Sequence, residues 1–413
     1  VIPTGASNLP VSITGTQAVN MASIQSSASA TVTGTLKLAA PVYNSGTLTA
    51  TAGTIEFNGT SAQTVAASTF ASNTIQNLII NNTAGVTLGG ALNITGTLTP
   101  TLGALNTVGF LTLKSDAVNT ARIAAGTGSY ISGNVTVERY IPAGKRSFRF
   151  LTPTVTTTTF IKGNWQESAN NTSLLYSNNQ NPVAGYGTHI TGSTTGANGF
   201  DATATGSASM FQFNNNATQA WNTGIANTNA TNLIAGNAYR LLLRGNRAFD
   251  LSTTSATNTA TTLRATGTLL TGTVTLGTAS SSPSSLPTLA SNISEYSFIG
   301  NPYASPIDWN ALTKTGLTGY YYIWDPTIGT RGAYVSCFTD GTKSNGSSAV
   351  TTAIQSGQAF FVQNTLGASA RQLDISEANK TIGNTNVFRT TIGTSTLGIQ
   401  LYLTSNIATG TSQ

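Results

Sequence analysis

The chain predicts an all-β protein in two parts: a β-solenoid-like region (a parallel β-helix) over residues 1–134 and a β-sandwich or jelly-roll region over 135–386. Residues 387–413 supply a terminal strand or open a further module. Three observations carry this. Val, Ile, Thr, Tyr and Phe, the strand formers, recur at short intervals in runs punctuated by Gly, Asn and Ser. The first third repeats itself loosely at about 20 residues, the signature of a solenoid. At Val135–Phe150 the text changes, bringing charge, aromatics and Pro142 together in VTVERYIPAGKRSFRF.

In the first part, TVTGTLKL, GTLTATAGTIEFNG, IQNLIINN, GVTLGGALNITGTLTP and FLTLKS alternate apolar residues with Thr or Lys. Leu36 with Leu38 and Leu111 with Leu113 fall on one face at period two. Single rungs of this size are unstable alone and gain stability by stacking. Stacking brings like side chains about 4.8 Å apart, which suits Thr and Asn and penalises repeated charge. Lys37 and Glu56 are the charged residues before residue 114. The same alternation also fits a sandwich of short strands, and the drifting rung length keeps that reading open.

The second part has strands such as SMFQF, YRLLLRG, TLRATGTL and AFFVQ between long Asn/Gly/Ser loops, a pattern suited to a sandwich. SSSPSSLPTL reads as an extended surface loop fixed by Pro283 and Pro287. ALTK, after Asp308 and Trp309, predicts a short helical turn.

Only 7% of the residues are charged, against roughly a quarter in an ordinary domain. With a single histidine, the chain is poor in the ionisable groups that catalysis needs, and the expectation is a protein that is not an enzyme. The net charge of +6 is spread thinly; Arg139, Lys145, Arg146 and Arg149 form the one local cluster, offset by Glu138, and read as a solvated face with no nucleic-acid partner. Cys337 stands alone, so an intrachain disulfide and a multi-thiolate zinc site are both ruled out. No apolar run approaches the roughly 18 residues of a membrane span, so no membrane insertion is expected. The chain opens at Val1 with no charged-then-apolar leader, which predicts either a removed signal peptide or a piece of something longer.

His189, in GTHITG, has no acidic or nucleophilic neighbour within its segment and reads as structural. Glu295, Asp308, Asp325 and Asp340 are close enough in sequence to raise the question of a paired-carboxylate hydrolase. Carboxylates capping tight turns are the more economical account. No cofactor is implied; an incidental calcium at Asp340 and Gly341 is the one metal the sequence suggests. Aromatics offer more. Alternation in YYYIW places Tyr320, Tyr322 and Trp324 on one face and Tyr321 with Ile323 on the other. One face is core, and Tyr320, Tyr322 and Trp324, with Trp165 and Trp221, are the candidate interaction surface.

The phrases FNGTSAQTV (57–65), SGNVTVERYIP (132–142), RFLTP (149–153), GYGTHITG (185–192), FIGNPYASPIDWNAL (298–312), GYYYIWDP (319–326) and IQSGQAFFVQ (354–363) together resemble a module of large, adhesin-like surface proteins of Bacteroidota exported by type IX secretion. The resemblance spans nearly the whole chain and implies an extracellular or cell-surface location and an adhesive, coating or filament-building role. It carries over no catalytic residues. Such proteins end in a separate sorting domain, and nothing after Val387 reads as one. The expected partners are copies of the chain or other surface proteins, and glycans. A filament would use strand addition through Ile399, Leu401 and Leu403, or through VIPTGASNLPVSI at residues 1–13. The rival is a secreted carbohydrate-binding module or, behind it, part of a polysaccharide hydrolase. A groove with two exposed Trp or Tyr rings favours sugar binding; two facing carboxylates in that groove add hydrolysis.

Overall fold

The computed structural model describes residues 1–2, 11–177, 180–253, 257–365 and 370–382. It is all-β, 42% strand and 4% helical, with a β-solenoid of about five turns in the N-terminal region. Every solenoid pairing is parallel. Thr16 aligns with Thr35, and Thr35 with Thr54, one turn of nineteen residues each. Leu36, Ile55, Leu78, Leu98 and Ile123 form a single inward line across five successive rungs, and all five are buried. Ala50, Ile75, Ile94, Leu113 and Val137 form a second line on the neighbouring face. Burying a Leu or Ile side chain is worth about 1.5–3 kcal/mol, and each rung contributes several.

Asparagines turn the corners. Asn44, Asn82 and Asn106 each accept, through Oδ1, the backbone N–H two residues on, at Gly46, Ala84 and Val108. The fully buried Asn82 also donates to Ser61 O at 2.7 Å and to Gln63 Oε1 at 2.8 Å. Drift in rung length comes from corner insertions. The turn from Thr54 to Asn77 is longer because it contains the 3-10 turn Ala71–Asn73, and that from Thr97 to Arg122 because it holds the Ser115–Thr120 excursion. The inward lines stay in register, which resolves the solenoid-or-sandwich alternative. The early charges answer each other: Lys37 pairs in register with Glu56 at 2.9 Å, and Asn81 on the next rung donates to Glu56 at 2.9 Å.

The strand Val135–Ile141 joins the two parts. Its first three residues continue the solenoid, pairing in parallel with Leu111–Leu113, while all seven pair antiparallel with the strand Thr261–Leu269. Beyond it the described residues form three buried clusters, the smallest of them aromatic, around Phe150, Phe298 and Phe361. One gathers Ile141, Leu151, Val155, Leu263, Tyr239 and Leu241. Another lies between two four-stranded sheets. The first sheet contains Val274–Gly277 and Gln372–Ile375; the second orders Tyr296–Gly300, Ala359–Gln363, Tyr321–Asp325 and Ala333–Cys337. Ile299, Phe360, Val362, Tyr321, Ile323 and Trp309 fill this sandwich. The expected helical turn is present two residues early, as a 3-10 turn at Trp309–Ala311 capped by Asp308, and Thr313–Thr315 is strand. The loop around Pro283 and Pro287 is more than a surface loop, because Leu286 and Leu289 anchor it in the core.

Glu377 staples the sandwich to the last solenoid turn. Its Oε1 accepts from Tyr130 Oη at 2.8 Å and Gly272 N at 3.1 Å; its Oε2 accepts from Gly126 N at 3.1 Å and lies 2.7 Å from Lys380 Nζ. Lys380 is itself buried over the Tyr130 and Tyr303 rings. Glu377→Ala strands this ammonium, so a loss on the order of 3 kcal/mol is expected in urea unfolding. An unchanged midpoint would remove the staple from the account of how the parts are held.

Candidate functional site: an aromatic groove

Alternation along Tyr321–Asp325 is as the sequence predicts: Tyr321, Ile323 and Asp325 are buried, and Tyr322 and Trp324 lie on the opposite face at intermediate exposure. Register extends that second face across the sheet. Tyr296 pairs with Gln363, Phe298 with Phe361, Phe361 with Tyr322, and Trp324 with Tyr334. The result is a continuous aromatic layer. Phe150, Phe298 and Phe361 form its buried floor. Trp221 crosses Phe298 edge-to-face at 5.2 Å and Phe213 at 5.4 Å. Tyr334 meets Trp324 at 5.1 Å. A glycine makes one approach feasible: a Cβ on Gly332, whose φ is +97°, would overlap the Trp324 indole.

On this floor lies a groove of about 450 Å³ lined by Phe213, Gln219, Tyr296, Tyr322, Tyr334 and Phe361. Tyr334 is 50% exposed and Tyr296 37%, so two of the lining rings are open to solvent. The polar edge is built in. Tyr322 Oη donates to Gln363 Oε1 at 2.8 Å, and Gln219 bridges by donating to Tyr296 O and accepting from Tyr296 N. Burial pushes the Tyr322 and Tyr334 phenols up, in Tyr322 with help from its Tyr320 and Tyr296 neighbours and in Tyr334 against the pull of Arg240. Both are therefore neutral hydroxyls at physiological pH.

Of the residues singled out in the sequence, Tyr322 lines the groove, and Trp221, Trp324 and Tyr320 support it through ring contacts. Trp165 does not belong. It is buried in the neighbouring core against Tyr239, which removes it from any surface. Ile399, Leu401 and Leu403 lie outside the described residues. Sequence reading missed Phe213, Tyr296, Tyr334 and Phe361. The signal was the same alternation, in EYSFIG, GAYVSC and AFFVQ, but the register that sets these strands side by side is not local.

The four carboxylates considered for hydrolysis are spread among separate turns. Asp308 accepts from Asn310 N, Glu295 from Asn292 N, and Asp340 from Thr342 N and Oγ1. Asp325 is buried and accepts from Thr327 N and Oγ1 and from Ser348 Oγ. A second cleft of about 480 Å³, at the seam with the solenoid, holds Glu138 and Glu167. Each faces a cation: Lys114 Nζ lies 2.5 Å from Glu138, and Arg264 makes a fork to both oxygens of Glu167. Burial raises the Glu167 carboxyl despite Arg264, and its backbone is left-handed at φ 54°. Cys337 is buried and its thiol is pushed up by burial, a form that resists ionisation.

His189 does find an acid, twelve positions on. Its Nδ1 lies 3.1 Å from Asp201 Oδ1, and its Nε2 faces Phe249 O at 3.1 Å, where a catalytic serine would have to be. Asp201 also holds Arg247 through both oxygens and accepts from Asn171 N, Ile190 N and Gln166. All three of the ionisable side chains are fully buried. This is a structural hub, as expected of the histidine.

No family model, no curated protein and no solved structure matches the chain.

The hub sets an acid limit on stability. Burial alone would raise Asp201, but His189 and Arg247 outweigh it and hold the carboxyl well below its usual range. The unfolded chain, with an ordinary carboxyl near 3.9, binds more protons, so stability rises with pH in that window. The contribution is complete above about pH 5 and is lost as pH falls through the folded value. Asp201→Asn is expected to cost on the order of 4 kcal/mol at pH 7, with the gap to the parent protein narrowing between pH 5 and 3 in denaturant titrations. A gap constant over that range would rule out this linkage.

Proposed function

We propose that the chain is a non-catalytic, extracellular adhesive module in which the solenoid acts as a stiff stalk and the aromatic groove takes a glycan. The observation that carries the reading is the groove itself: two exposed tyrosine rings over an apolar floor, edged by hydroxyls and amides, with no carboxylate among its lining residues. Sugar rings offer apolar C–H faces and a hydroxyl rim, which match stacked rings with neutral polar edges. The acidic pair in the seam cleft is neutralised by its own cations and lies apart from these rings. Surface location accords with solubility supplied by Thr, Asn and Gly in place of charge, and with the adhesin-like phrases of the sequence.

Trp221 and Trp324 touch the groove's rings, so intrinsic fluorescence reports occupancy. Titration with a panel of soluble polysaccharides is expected to shift that emission. Tyr334→Ala and Tyr296→Ala should each weaken binding about tenfold, or roughly 1.4 kcal/mol. Wild-type emission that no polysaccharide moves would refute the reading.

One observation favours a second reading, a subunit that assembles with its own copies. The first-rung strands Val11–Ile13 and Thr16–Val19 pair on one side only among the described residues, and a strand edge of this kind can template another strand. Light scattering over a concentration series is then expected to show growth that Ser12→Pro and Gln17→Pro suppress; a monomer at all concentrations sinks this second reading.

A further inference from the structure

We propose that the glycan taken by the groove is anionic and that Arg240 holds its carboxylate or sulfate group, an inference that rests on reading the groove as a glycan site. The strand Tyr239–Leu243 buries Tyr239, Leu241 and Leu243 and turns Arg240 to the aromatic layer. The guanidinium carbon lies 4.2 Å from the ring centroid of Trp221, 4.5 Å from Phe148 and 4.8 Å from Phe211. Three rings hold one fork, so its direction is set before any ligand arrives.

Among the described residues Arg240 has no ion-pair partner, as Arg149 and Arg244 also have none; what bears on the groove is its clamp of rings. Arg247 and Arg264 each grip a carboxylate, at Asp201 and Glu167. Arg240 forms no ion pair with a described residue, and its Nε is buried with no hydrogen-bond partner. A buried donor left unmatched is costly, and a planar anion offers the bidentate partner that guanidinium geometry fits. The surroundings add the same sign. Arg149, on the adjoining strand, pairs with Leu241 and so turns to the opposite face, while Lys145 donates to carbonyls of the hairpin turn at Thr327 and Gly329. Arg331 is exposed in that turn, whose carbonyl accepts from Ser147. The nearest acid of this hairpin, Asp325, points into the sandwich and is spent on Thr327 and Ser348. Arg240 neighbours the groove through Trp221, whose ring meets Phe213 and Phe361 of the lining, and through its strand partner Phe150, whose ring lies 5.9 Å from Tyr334.

A nucleic-acid strand also joins stacking to positive charge, but it presents a phosphate at every step and calls for a track of unpaired cations along parallel ring platforms. Here a single clamped cation stands beside rings that meet mostly edge-to-face. That arrangement suits one anionic substituent on one sugar.

The test is calorimetric titration of the full chain with polygalacturonate, its methyl ester, a sulfated galactan and oligothymidylate, at low and at physiological salt. One of the two anionic polysaccharides is expected to bind at least tenfold more tightly than the methyl ester, with an advantage that shrinks as salt rises. Which of them binds better tells carboxylate from sulfate. Arg240→Gln should abolish the difference between charged and esterified polymer, and Arg240→Lys should restore part of it, each variant's fold being checked by thermal unfolding. Equal affinity for charged and esterified polymer overturns the anionic assignment and leaves the groove as a neutral-glycan site. Binding of none of the polysaccharides overturns the groove reading itself. Tighter binding of oligothymidylate than of either anionic polysaccharide overturns the glycan assignment in favour of a nucleic acid.

Discussion

The structure depends on one strand being asked to satisfy two neighbours. Val135–Ile141 closes the solenoid by parallel pairing on one edge and opens the second part by antiparallel pairing on the other. The backbone ladder therefore runs without a break from the stalk into the sandwich region, and no flexible linker separates them. The same segment carries Glu138 to Lys114 in the seam cleft and Arg139 to Gln355 of the sandwich. Charge appears in the sequence at the point where the solenoid meets the second part.

This explains how polar and apolar chemistry are shared out. In the solenoid, apolar lines fill the interior and neutral Thr and Asn cover the outside, because stacked rungs would align like charges. In the second part ionisable groups are few and several are spent on joints: Asp201 with Arg247 and His189, Glu377 with Tyr130 and Lys380, Glu167 with Arg264. The sandwich sheet is apolar on both faces. One face fills its own core; the other, too aromatic to be left bare, is covered at Phe150, Phe298 and Phe361 and stays open at Tyr296 and Tyr334. The groove is what remains where that covering stops.

Much of this was legible in the sequence. Period-two alternation and loose repetition gave the solenoid, and YYYIW gave both faces of its strand, since Tyr321 and Tyr322 do part company as alternation requires. Composition could not place Trp165, because a tryptophan in a loop carries no local mark of burial; its neighbour Tyr239 arrives from a strand more than seventy residues away. The same distance hid the groove. Tyr296, Tyr322, Tyr334 and Phe361 lie on four strands whose order in the sheet is not their order in the chain. Asp201 was hidden for a subtler reason: it is near His189 in sequence, but only the fold of the intervening loop turns the two toward each other.

The parallel rungs carry a mechanical consequence. Their backbone hydrogen bonds point along the stalk's long axis, so tension on the groove loads each rung joint as a zipper and not in shear. The joint between the shared strand and the rung before it has three residue pairs on one face, and the adjoining face has two, against seven where the shared strand meets the second part. Under axial force the solenoid would yield first, one rung at a time, while the second part stays folded. A solenoid built this way absorbs work as it lengthens and can rewind when the load is released.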